Sequence, residues 1–140
     1  MENIYPEKEL HVGDFALFPK TVSASDVALF AGISGDMHPL YLNETFGRAS
    51  GLGMRIVPPM LIAAMLGGAV YRLLSPMSCP VSRSFTAVKP MAVGDTLTAR
   101  AEITALNTQT GRATVALAAY NSAGELVMEG ISAENLNLGK

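Results

Sequence analysis

The chain has 140 residues, the size of one domain, and its net charge of −2 with no basic block excludes the electrostatic footprint of a nucleic-acid binder. Hydrophobic residues make up 49% and charged residues 16%, which supplies a core and excludes a disordered chain. The single cysteine, Cys79, has no internal disulfide partner and suits a reducing cytoplasm.

The first ten residues, MENIYPEKEL, carry acids and no apolar run behind a basic start, so they do not read as a signal peptide. VGD (12–14) makes a turn. FALFPKTV (15–22) reads as a strand, with Pro19 pointing to a sheet edge or a bulge. In SASDVALFAGISG, Ser23 with Asp26 three residues later resembles a capping box, and Val27, Phe30 and Ala31 form one apolar helical face. Gly32 or Gly35 ends that short helix. SGDMHPLY (34–41) then reads as a loop, because Pro39 lacks an amide proton and disfavours helix at His38. Asn43 caps a second short helix, ETFGRAS.

PMLIAAMLGGAVYRLL (59–74) reads as the main helix, opened by Pro58-Pro59. It is apolar nearly all round, which predicts burial on most sides, and Gly67 and Gly68 predict close approach of a neighbouring backbone. The uncharged run 56–71 is shorter than the roughly 20 residues that span a bilayer, so no membrane is expected as a partner. Four strand candidates follow: 81–90, 95–106, 112–121 and 125–136. The breaks at 93–95, 107–111 and 122–124 predict antiparallel hairpins between successive strands. The layout is α+β: a single domain over residues 1–140, with one sheet wrapped on a central helix.

Asp36 and His38 form a possible acid/base pair. Histidine titrates near neutrality, and residues two apart in an extended loop point to one side. The same residues also suit an ordinary polar turn. No second histidine or cysteine stands near enough to complete a metal-ligand set, so no metal is expected. G-x-S-x-G, P-loop and G-x-G-x-x-G patterns are missing. Cys79 reads as a buried thiol and His11 as exposed. Arg55, Arg72, Arg83 and Lys89 read as solvated flanks. The eight methionines read as core filler that also suits an apolar acyl pocket.

Three phrases in this order carry a resemblance: FAGISGDMHPLY (30–41), RIVPPML (55–61) and KPMAVGDTLTA (89–99). They resemble the MaoC-like hydratase/dehydratase family of hot-dog proteins, which includes the (R)-specific enoyl-coenzyme A hydratases. The family pattern runs F-A-x-x-S-G-D-x-N-P-x-H, then R-I-V-H-G-M-L, then P-V-x-V-G-D-x-L. NSAGELVMEGISA (121–133) is similar to its closing hairpin, and the resemblance spans about residues 10–136.

The resemblance implies an antiparallel sheet around one long helix, a homodimer, and an acyl-coenzyme A or acyl-carrier thioester as substrate. It implies no cofactor beyond coenzyme A as part of the substrate. Catalysis is expected from Asp36, His38 and Tyr41, and substrate contact from Ser34, Gly35, Pro59, Met60 and Leu61. An amide at the helix start would bind the thioester oxygen. The sequence departs from the pattern at three places. His38 stands at the family asparagine, Tyr41 stands at the family histidine, and Pro58-Pro59 replaces His-Gly, so Pro59 brings no amide proton. In the leading expectation His38 takes over as base with Tyr41 in support, and the enzyme hydrates or dehydrates an acyl thioester. The alternatives are a thioesterase or other addition chemistry, and a non-catalytic acyl-thioester binding protein.

Overall fold

The computed structural model describes residues 9–74, 76 and 78–136. Its elements in chain order are β1 (Phe15–Thr21), α1 (Ala24–Ser34), α2 (Pro39–Leu42), α3 (Glu44–Ala49), α4 (Pro59–Leu74), β2 (Cys79–Ala87), β3 (Thr96–Asn107), β4 (Arg112–Tyr120) and β5 (Leu126–Asn135). The strands form one antiparallel sheet in the order β1-β3-β4-β5-β2, and α4 lies along it. This is the expected hot-dog arrangement.

Local chemistry explains most element boundaries. The Ser23 hydroxyl accepts from Asp26 N–H, and the Asp26 carboxylate accepts from Ser23 N–H, so α1 begins on a complete capping box. It ends at Gly35, whose φ of 75° is left-handed and cheap only for glycine. Asn43 caps α3 through Phe46 N–H. Pro19 lies on β1, an edge strand, as its missing donor requires.

The core sits between α4 and the sheet. Leu66, Ala69, Val70 and Leu73 of α4 face Leu97, Ala99, Ala101 and Ile103 of β3, with Val115, Leu117 and Ala119 of β4 beside them; all are buried. The alanines keep this face of the sheet shallow, which lets the helix settle onto it. Each fully buried Leu or Ile contributes about 2 kcal/mol in removed apolar surface. Both helix glycines meet side chains, where the close approach of a backbone is the expectation. A Cβ at Gly68 would lie 3.1 Å from the Phe18 ring, and one at Gly67 would lie 2.8 Å from Arg83 Nη1. Gly130 of β5 is tighter still, since a Cβ there would meet the Ser84 carbonyl oxygen at 2.4 Å.

Four expectations need correction. Residues 39–42 are a helical turn and not loop, because Pro39 sits at the first helical position, where its missing N–H costs nothing. β2 does not pair with β3. It pairs with β5 at the far edge, because the start of β3 is taken by β1 through Gly94 N–H to Val22 O (2.7 Å) and Val22 N–H to Asp95 O (3.0 Å). α4 is not buried on most sides. Met60 (62% exposed), Ala64 and Tyr71 (67%) leave an open stripe along it, with Gly67 half-buried between. Cys79 is exposed, at the start of β2.

Candidate active site

Residues 34–41 turn tightly between α1 and α2. The Ser34 hydroxyl accepts from Asp36 N–H at 3.1 Å, just past the left-handed Gly35. His38 is the N-cap of α2: its Nδ1 accepts from Leu40 N–H at 3.0 Å, and its carbonyl accepts from Tyr41 N–H at 2.9 Å. The His38 and Tyr41 rings stand 5.5 Å apart, and Phe46 presents an edge to His38 at 6.3 Å. Asp36 and His38 are exposed on this chain, whereas Tyr41 is half-buried against the core.

Electrostatics links Asp36 to Tyr41. Burial, and then the negative charge of Asp36, push the Tyr41 hydroxyl above its ordinary pKa, so it stays protonated through neutral and mildly alkaline pH. The His38 hydrogen bond fixes a second chemical fact. With Nδ1 accepting from Leu40, the neutral ring carries its proton on Nε2. The free edge of His38 is then a donor. Taking up a proton at Nδ1 would break the cap, so this geometry suits His38 as an orienting donor better than as the expected base.

The octet is tied to the start of α4 through the backbone. Ile56 N–H donates to Leu40 C=O at 3.2 Å, and Val57 N–H donates to Met91 C=O at 2.8 Å. At the helix start, Leu61 N–H (2.9 Å) and Ile62 N–H (3.3 Å) both donate to Pro58 C=O. Pro59 has no N–H. That leaves the Met60 amide as the first-turn donor with no acceptor among the described residues, at the positive end of a 16-residue helix. Beside it opens a cavity of about 190 Å³ between the helix start and the sheet, walled by Val57, Pro59, Ile62, Met91, Val127 and Met128. Leu61 packs half-buried against the core.

Sequence reasoning missed a second group of polar residues. Arg83 is not a solvated flank. Its guanidinium donates from Nη2 to Glu134 Oε1 (2.8 Å) and from Nε to Ser132 Oγ (2.9 Å), and Ser132 donates to the same Glu134 oxygen at 2.6 Å. Ser132 and Glu134 are both 0% exposed. A signal existed: residues 132 and 134 share one face of a strand, and a charge in phase with a buried face needs a partner.

Residues 12–125 match the family described as MaoC like domain. An (R)-specific enoyl-CoA hydratase from Aeromonas caviae is 32% identical over 124 residues, covering 88% of this chain and 92% of that protein. A 3-hydroxybutyryl-CoA dehydratase from Methylorubrum extorquens is 34% identical over 128 residues, covering 88% and 78%. The solved structure of an A. caviae (R)-hydratase superposes with a TM-score of 0.88 at 31% identity, covering 93% of this chain and 99% of that one. An R-hydratase from Pseudomonas aeruginosa gives 0.86 at 26% identity, with 91% and 83% covered.

Proposed function

The chain belongs to the MaoC-like domain family, and from that premise we propose that it hydrates enoyl thioesters, and dehydrates 3-hydroxyacyl thioesters in reverse, at residues 34–41 and the start of α4. The observation that carries this is the hydrogen bond from Ile56 to Leu40. It holds the loop of Asp36, His38 and Tyr41 against the segment that leads into the helix, beside the unpaired Met60 amide.

In this reading the thioester oxygen rests on Met60 N–H. Asp36 accepts a proton from water as the water oxygen bonds to the β-carbon, and electron density moves onto the thioester oxygen as an enolate. The enolate then takes that proton back at the α-carbon, so Asp36 returns to its starting state. His38 Nε2–H donates to one lone pair of the water and leaves the other for the β-carbon, with the Tyr41 hydroxyl in support. Ser34 and Gly35 shape the turn that presents Asp36, and Pro59 and Leu61 line the helix start. A positioned proton-transfer group contributes about 10²–10⁴-fold, and one oxyanion donor about 10²–10³-fold. No cofactor enters beyond the coenzyme A or acyl carrier of the substrate. The exposed, free Cys79 suits a cytoplasmic setting.

A homodimer belongs to the same reading. The open stripe on α4 and the free outer edge of β2 are surfaces that a second copy would cover. The test is loss of enoyl absorbance when the protein is added to crotonyl-coenzyme A and longer 2-enoyl thioesters. Folded protein that hydrates none of them rejects the proposal. Release of free thiol from saturated acyl thioesters would point to a thioesterase instead, and ligand binding without turnover to a binding protein.

A further inference from the structure

We propose that Gly47 of α3 is a positioning residue for the reaction: its bare backbone sets the distance between residues 34–41 and the start of α4. This rests on the hydration reading above and names the contact that holds its two halves in register.

α3 is six residues long, and Gly47 is its one buried residue. Phe46 and Arg48 on either side are exposed, so the helix does not dock there through a side chain. It docks through its backbone. A Cβ at Gly47 would lie 2.5 Å from Arg55 N, 2.8 Å from Arg55 Cα and 2.8 Å from the Met54 carbonyl carbon. Atoms do not pack at such distances, and a main chain cannot swing aside as the end of a long side chain can.

One of the two partners is fixed. Val93 N–H donates to Arg55 C=O at 3.1 Å, Val57 N–H donates to Met91 C=O at 2.8 Å, and Ile56 bridges to Ala92 between them. Ile56 and Val57 are buried. Residues 55–57 are therefore held to residues 91–93 from the side away from α3. Volume added at residue 47 displaces α3 and leaves the segment beneath it in place.

That displacement runs to the proposed proton-transfer loop. Asn43 caps α3 through Phe46 N–H and donates its own N–H to Pro39 C=O at 2.8 Å. Phe46 stands edge-on to His38, and α3 packs on α2. The bond from Ile56 N–H to Leu40 C=O is 3.2 Å, at the long end of the normal range, so it opens first. The Met60 amide and the cavity beside it lie outside α2 and α3 and do not move. A shift of α3 thus moves Asp36, His38 and Tyr41 relative to the thioester and spares the thioester's own contacts. A misplacement of about 1 Å costs about a hundredfold in rate.

Gly51 is the matched control: it lies in the same connection, its φ is not left-handed, and a Cβ there meets nothing within 4 Å. In crotonyl-coenzyme A hydration, Gly47→Ala should lower kcat by about a hundredfold. Its KM, and its calorimetric affinity for saturated butyryl-coenzyme A, should stay within about twofold of wild type. Gly51→Ala should match wild type throughout. Amide exchange should show Ile56 opening faster in Gly47→Ala, with Val57 unchanged. A full kcat in Gly47→Ala, an equal loss in Gly51→Ala, or a loss carried by KM in place of kcat overturns the proposal. Should Gly47→Ala not fold, Asn43→Ala decides, because it loosens the same helix at its exposed cap: kcat should fall while KM holds, and a wild-type kcat overturns the proposal. A wild type that leaves crotonyl-coenzyme A untouched removes the hydratase reading alone. Amide exchange then decides the placement: Ile56 opening faster in Gly47→Ala supports it, and Ile56 unchanged overturns it.

Discussion

Residues 34–41 and the Arg83–Ser132–Glu134 cluster both bring ionisable groups beside α4, but under opposite physics. The octet is held by short-range turn chemistry: Ser34 to Asp36, His38 to Leu40, and His38 to Tyr41. Its Asp36 and His38 stay in solvent on this chain. The cluster joins residues about fifty positions apart and shuts a carboxylate away from water entirely. Exposed groups can exchange protons with little effect on the fold. A buried charge pair is a structural commitment, where removing one partner strands the other. Substitutions in the octet should therefore register in rate, and substitutions in the cluster in stability.

The largest effect is expected at Asp36. Asp36→Asn keeps the backbone turn and should lower the hydration rate by about a thousandfold with an unchanged unfolding midpoint. If stability falls instead, the octet is a structural turn and the contrast fails. Next comes Glu134→Leu, which leaves Arg83 without its counter-charge. Urea denaturation should show a loss of about 3 kcal/mol, recovered in good part when Arg83→Met is added. Independent, additive losses would show that the two residues are not coupled.

His38 separates two roles. His38→Ala removes the cap on Leu40 N–H and should cost about 1 kcal/mol of stability, whereas His38→Asn restores an acceptor there and should cost little. If His38→Asn also abolishes hydration as completely as Asp36→Asn does, histidine is more than the orienting donor assigned to it.

The smallest effect is an acid one, at the α1 cap. The Ser23 backbone N–H and then Lys20 hold the Asp26 carboxyl below its ordinary pKa. Its contribution is therefore complete above the ordinary carboxylate pKa and is lost as pH falls through the lowered value. Asp26→Asn should lower stability slightly near neutrality, where that contribution is complete, and converge with the wild type at strongly acid pH, so its stability curve is flatter on the acid side.

Much of this was legible in the sequence because it is local. Capping residues, left-handed glycines and proline positions fixed α1, α3 and α4, and the order of motifs around Asp36 located the octet beside the helix start. What stayed hidden depends on sequence separation. Nothing near residues 88–95 shows that β2 crosses to the far edge, because β1 decides it by occupying β3. Arg83 looks like a surface residue until β5 places Glu134 and Ser132 against it. The helical turn at Pro39 is local but ambiguous in sequence, since proline is excluded from helix interiors and welcome at their first position.

The most direct test places wild type and Asp36→Asn side by side with crotonyl-coenzyme A, following the enoyl absorbance, after circular dichroism has shown both to be equally folded. The account predicts steady loss of absorbance with the wild type and a rate about a thousandfold lower with the variant. Equal rates, or a folded wild type that leaves the enoyl absorbance untouched, would contradict it.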